Sequence, residues 1–231
     1  CFMKRLLNYF TKFEIGLWTV SVLSILISFF AFDSKNYLAL VASLVGATFL
    51  VLLAKGNPLG QFLTIIFSLI YGVISFGFSY YGEVITYLGM SMPMATIALI
   101  SWLKNPYKGN KAEVAVNKLS KKEIPLMFIL ALVVTIAFYF ILKHFNTANL
   151  IPSTLSVTTS FLAAYLTFRR SPYYALAYAA NDLVLIVLWV LAITEDVTYI
   201  SVVICFIVFL VNDLYGFINW KQMEKRQKQN M

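Results

Sequence analysis

Two acids stand inside runs that are otherwise almost wholly apolar. Asp182 follows Asn181 near the middle of residues 172–193, and Asp213 follows Asn212 within 197–220. If such runs cross lipid, an acid near the centre costs about 2.5–3.5 kcal/mol on insertion scales, so it must face a cavity or a partner. Tyr178 lies one helical turn before Asp182 and Trp189 two turns after it, which puts rings and carboxylate on one helix face. Rings attract a cation by about 0.5–2 kcal/mol, and a carboxylate can balance its charge. A second pattern is neutral. Asn57, Gln61, Thr64, Ser68, Tyr71 and Ser75 fall at steps of 4, 3, 4, 3 and 4, one continuous stripe on a helix. An amide turned to lipid loses several kcal/mol of hydrogen bonding, so the stripe is expected to face water or a ligand. Asn212, Tyr215 or Gly216, and Asn219 share a third face. Gln61, Thr64, Ser68, Tyr71, Tyr178, Asn181, Asp182, Trp189, Asn212, Tyr215 and Asn219 are therefore the expected substrate-binding residues. Asp213 reads instead as a clamp or gate paired with Arg169 or Lys221, at a depth different from Asp182.

This chemistry is recognition, not catalysis. Two cysteines, Cys1 and Cys205, and one histidine, His144 at an outer boundary, offer neither a disulfide framework nor metal spacing. No Gly-rich phosphate loop is present, and no inward-facing lysine or arginine is expected within a span. The expectation is a protein with no cofactor, no ATP site and no enzymatic activity. A membrane enzyme acting on lipids would need acids or histidines clustered at an interface.

The elements that position these residues are membrane helices. The chain has 231 residues, 61% hydrophobic and 12% charged, where soluble domains run at about 45–50% and about 25%. Eight stretches, 14–32, 37–54, 58–80, 83–103, 124–143, 149–168, 172–193 and 197–220, approach the ~20 residues that a ~30 Å hydrocarbon layer requires. The first is too long for the core of a signal peptide and reads as an uncleaved helix. Eight crossings leave both termini on one side. Sixteen of the 18 lysines and arginines fall there, against Lys35 and Lys143 opposite, which places both termini in the cytoplasm. A net charge of +8 distributed in this way serves membrane topology and not nucleic-acid binding.

Residues 55–104 and 169–221 repeat one plan. Lys55-Gly56-Asn57-Pro58 answers Arg169-Arg170-Ser171-Pro172, an acidic turn at Glu83 answers Glu195-Asp196, and Trp102-Leu103-Lys104 answers Trp220-Lys221. In both, a polar N-cap precedes a proline at the first helical position. Three helices per copy is an odd number, so helix 124–143 between the copies restores direction and makes them parallel, with the substrate held between them. The expected organisation is an N-terminal segment with an extra helix (1–36), a first three-helix repeat (37–103), a basic linker and connecting helix (104–148), a second repeat (149–221) and a tail (222–231). Trp102 and Trp220, each near a lysine, are expected as interface anchors, and Pro58, Pro172, Gly60, Gly72 and Gly77 as bending points.

This 3+1+3 plan resembles the SWEET-type fold, and the sequence resembles the PnuC family of bacterial vitamin transporters. The resemblance is carried by Gly56-Asn57-Pro58-Leu59-Gly60-Gln61-Phe62, Tyr80-Tyr81-Gly82-Glu83, Asn181-Asp182, Gly216 and Asn219-Trp220-Lys221, and covers about residues 37–221. It implies an all-α integral membrane protein of the bacterial inner membrane, with a SWEET-like core of parallel repeats and one extra N-terminal helix among its eight spans. It implies uptake of nicotinamide riboside, a vitamin B3 form and NAD precursor, by facilitated diffusion, trapped by a cytoplasmic riboside kinase. Membrane lipid is the other expected partner, and a homo-oligomer is left open. One departure stands out: the family's Trp-x-x-Trp pair falls on Ala175 and Tyr178. Relatives in the family handle thiamin or deoxyribonucleosides, which is the alternative. With no cation inside a span, phosphorylated forms are expected to be poor substrates.

Overall fold

A computed structural model describes residues 9–77, 81–147, 149–194 and 196–230; Lys4, Arg5, Tyr80 and Glu195 lie outside the described residues. Among the described residues, eight helices are long and apolar enough to cross a membrane. They are α1 (Lys12–Phe32), α2 (Tyr37–Ala54), α3 (Pro58–Gly77), α4 (Tyr81–Lys104), α5 (Glu123–His144), α6 (Leu150–Phe168), α7 (Tyr173–Ala192) and α8 (Ile200–Gln229), the last entered by a 3₁₀ turn at Val197–Tyr199. The protein is an all-α, multi-pass membrane protein, and α8 runs on well past the expected end at residue 220.

The helix ends follow from their residues. At the start of α1, the Glu14 N–H donates to the Thr11 hydroxyl at 3.2 Å and the Thr11 N–H donates to Glu14 at 2.7 Å, a capping box. The ends of α2 and α6 are copies of each other. Gly56 N–H donates to Leu53 O (2.8 Å) and Asn57 N–H to Leu52 O (3.0 Å); Arg170 N–H donates to Thr167 O and Ser171 N–H to Leu166 O, both at 2.9 Å. Both are Schellman caps, which need a left-handed residue: φ is +67° at Gly56 and +56° at Arg170. The N-caps also match, with Leu59 N–H donating to Asn57 Oδ1 (3.0 Å) and Tyr173 N–H to Ser171 Oγ (3.4 Å).

The irregular helix is α4. Its segment Ile85–Ser91 is a π-helix, and the Met92 N–H donates to Tyr87 O. Pro93 explains this. It has no N–H, and its ring crowds the preceding turn, so the chain widens by one residue before it. Pro58 and Pro172 both stand at helix starts. Gly72 is a close-approach site: a Cβ there would lie 2.5 Å from Leu88 of the π segment.

Helix α2 packs on α3 and α6 on α7, while α4 crosses to α6 and α8 crosses to α2. The crossing is fixed by indoles. Trp102 Nε1 donates to Thr167 O and Trp220 Nε1 to Leu53 O, both at 2.8 Å. Ser101 Oγ donates to Phe168 O (2.9 Å) and Asn219 Nδ2 to Ala54 O (2.7 Å) beside them. The two indoles are 5.4 Å apart and fully buried, in one core with Tyr174. The expected interface anchors are therefore buried between helices; the run of apolar residues around each tryptophan hid that its N–H was reserved for a carbonyl of another helix.

The linker is a clip and not a tether. Pro106–Tyr107 and Asn110–Val114 pair as an antiparallel hairpin, β1 and β2. Val114 N–H donates to Gly56 O, and Asn117 donates to Arg170 O and Arg169 O. The tail closes the clip: Val116 N–H donates to Gln227 Oε1 (2.8 Å), and Gln227 Nε2 donates to Val114 O (3.0 Å). This end, near the first and last described residues, is called the terminal face below. Here α1 is bolted on by an ion pair absent from the sequence-level plan. Lys55 Nζ lies 3.0 Å from Glu14, which also accepts from Tyr215 Oη at 2.9 Å.

Candidate functional site

The stripe on α3 faces inward. Gln61, Ser68 and Ser75 are buried, while Leu59, Phe62, Val73 and Phe76 on the opposite side are exposed. Near its middle, Tyr71 stacks on Tyr87 of the π segment at 5.2 Å and 28° and meets Phe67 at 4.7 Å. Ser43 of α2 is within hydrogen-bonding reach of both Tyr71 and Cys205 of α8. Cys205 in turn lies in electrostatic range of Asp182. Tyr71 of α3 and Cys205 of α8 thus have Ser43 of α2 as a common neighbour, and Asp182 of α7 lies on the Cys205 side.

From α7 come Tyr178, Asn181 and Asp182, the last two buried. Thr159 Oγ1 donates to Asn181 Oδ1 at 2.8 Å, which orients that amide. Tyr178 stands in range of both Asp182 and Asp213. The two acids themselves face each other, side chain to side chain, within hydrogen-bonding reach. This corrects the expectation that Asp213 lies at another depth and pairs with Arg169 or Lys221. Arg169 is held by Glu123, with Nη2 to Oε2 at 3.0 Å, and Lys221 by Glu224 at 2.7 Å. The rotation of α7 against α8, which spacing along one helix does not encode, decides the pairing.

The remaining expected residues have other partners, or none. Thr64 Oγ1 donates to its own helix at Gly60 O (2.9 Å). Gln61 is buried near the terminal face, its Nε2 without a partner among the described residues. Trp189 meets Tyr199 at 5.1 Å, toward the opposite face. Asn212 Nδ2 donates to Ser21 of α1 (2.9 Å) and to Val208 O (2.8 Å). Tyr215 and Asn219 line a separate cleft of about 710 Å³ at the terminal face, with Tyr9, Glu14, Lys55, Glu113 and Arg226. Burial pushes the Tyr9 hydroxyl above its ordinary range, and the charges of Glu14 and Glu113 act the same way. Sequence reasoning missed Ser43, Tyr87 and Cys205. In the sequence Cys205 stands out only as a disulfide partner or metal ligand, and Tyr87 sits where helical periodicity breaks.

The central region offers rings, amides and an acid pair. Among the described residues, no group of histidine, cysteine, aspartate and glutamate could hold a metal. The described basic partners, Lys55, Arg169, Lys221, Arg226 and Lys228, are engaged with Glu14, Glu123, Glu224, Glu113 and Glu224.

Comparison with known proteins places this architecture. The sequence profile of a family described as nicotinamide mononucleotide transporter matches residues 36–222. A protein named nicotinamide riboside transporter PnuC from Neisseria mucosa is 26% identical over 227 residues, covering 96% of this chain and 86% of that one. One of the same name from Haemophilus influenzae is 24% identical over 192 residues, covering 83% and 82%. The fold is similar to a crystal structure described as the vitamin B3 transporter PnuC, with a TM-score of 0.80 at 24% identity over 94% of each chain.

Proposed function

The chain belongs to the nicotinamide mononucleotide transporter family, and on that premise we propose that it carries nicotinamide riboside into the bacterial cell by facilitated diffusion. The observation that carries the reading is the near full-length similarity to a nicotinamide riboside transporter. The central region supports it. Tyr71, Tyr87 and Tyr178 supply ring faces for a pyridinium, Asn181 and the stripe residues supply partners for the carboxamide and ribose, and Asp182 supplies negative charge. No described lysine or arginine pairs within this region, so the mononucleotide, with its phosphate, is the poorer substrate despite the family's description. The basic terminal face is cytoplasmic, the membrane is the inner one, and a cytoplasmic kinase traps the product. Access alternates as the two three-helix units rock about the region between them.

A second reading rests on one observation. Ala175, where the family carries a tryptophan, is fully buried, with its Cβ 3.5 Å from the Cβ position of Gly216. An indole does not fit there, so the ring recognition differs and thiamin or a deoxyribonucleoside is the alternative substrate. Purified protein in liposomes separates the readings. Uptake of labelled nicotinamide riboside should be saturable, independent of ATP, and well above that of the mononucleotide. Uptake no faster than in empty liposomes would sink the proposal.

A further inference from the structure

We infer that Asp182 and Asp213 act as one proton-sharing carboxyl pair with a single negative charge, and that this pair selects ligands bearing one fixed positive charge. The inference rests on the transport reading above, though not on the particular vitamin. Both residues are buried, at 4% and 5% exposure, and their carboxyl groups face each other across α7 and α8. Asp182 Oδ2 receives no N–H or O–H donor from the described residues. Two ionised carboxylates cannot share such a place, since like charges in contact do not both ionise. A hydrogen bond between carboxyls also needs a hydrogen. One proton held between them satisfies both demands and leaves one net charge.

That charge has no counter-ion among the described residues. Tyr174, Tyr178 and Cys205 are the titratable neighbours, all neutral when protonated, and no lysine, arginine or histidine among the described residues bears on either acid. A buried, uncompensated negative charge beside Tyr178 is a socket for a cation supplied by the ligand. Asp213, read from sequence as a clamp, thereby becomes half of a pair whose shared charge, and not either residue alone, sets specificity. It holds the proton that keeps the pair at one charge instead of two.

Isothermal titration of the purified protein in detergent tests this with four probes: nicotinamide riboside, its uncharged dihydro form, thiamin and thymidine. The charged riboside should bind about tenfold or more tighter than its dihydro form, which has the same amide and sugar. Asp182→Asn and Asp213→Asn each replace the shared proton by an amide N–H and leave one carboxylate, so each should keep that ratio whatever its affinity. The double variant should bring the ratio to about threefold or less. Equal binding of both forms by the wild type, or a double variant that keeps the preference, overturns the inference. So does failure of every cationic probe to bind. If thiamin binds in place of the riboside, with the same response to the variants, the vitamin proposed above is wrong and the charge selection stands. Should the double variant not fold by size-exclusion chromatography, the wild-type ratio decides.

Discussion

Arg170 holds a left-handed backbone, at φ +56°, that an L side chain reaches only at a cost of about 1–2 kcal/mol. Its counterpart is Gly56, which reaches the same region freely. The bond that this turn gives to Asn117 is made by its carbonyl, so Arg170→Gly should stabilise the protein by about 1 kcal/mol, read as a higher thermal midpoint in detergent. Gly56→Ala should do the reverse, because the new Cβ would meet Met223 at 3.1 Å and Val114 at 3.3 Å. Glu14 tests the other end of the scale. It is 1% exposed and receives Lys55 and Tyr215. Glu14→Gln leaves the Lys55 ammonium partly buried without its partner, and a loss of about 3 kcal/mol is expected in the same measurement. Both the Gly56–Arg170 correspondence and the Asp182 anomaly were legible in the sequence, since each is a matter of residue type and spacing. The Asp182–Asp213 contact was not, because it depends on how two helices are rotated about their axes.

Among elements, α4 is the one whose shape bears on function. Its π segment brings Tyr87 onto Tyr71, and Pro93 is the cause. Replacing the proline lets an ordinary i→i−4 ladder form, and each residue then removed from the wide turn rotates the preceding face by about 100°. Pro93→Ala should therefore leave thermal stability unchanged or higher, while lowering substrate affinity by about 3- to 10-fold through loss of the ring pair. An affinity equal to wild type would show that Tyr87 is not a ring wall of the site. The span of α4 was predictable from its apolar length. Its internal register was not, since an apolar run of this kind has no strong periodicity for the π turn to interrupt. The hairpin between Pro106 and Val114 escaped for a different reason: it is held by Gly56, Arg170 and Gln227, partners far away in the chain.

At the scale of the molecule, α4 and α8 set matching indoles on matching carbonyls, Trp102 on Thr167 and Trp220 on Leu53. Thr167 O and Leu53 O also accept from the caps of their own helices, so removing an indole N–H leaves neither carbonyl bare. Trp102→Phe or Trp220→Phe should each cost about 1 kcal/mol of the closed terminal face. In a Cys1→Ser background, a water-soluble maleimide should then label Cys205 about fivefold faster, at temperatures well below unfolding. Unchanged labelling would mean that the terminal face opens elsewhere. The matched caps, prolines and Trp-Lys ends of the two segments were the clearest signal in the sequence. What the sequence could not convey was that the matching tryptophans meet. Their separation of 5.4 Å and mutual tilt of 47° have an optical consequence. Transition dipoles that close and that inclined couple, and the pair should give a two-signed circular dichroism band in the indole region. The band fades as the units part, so each turnover would carry its own label-free spectroscopic clock.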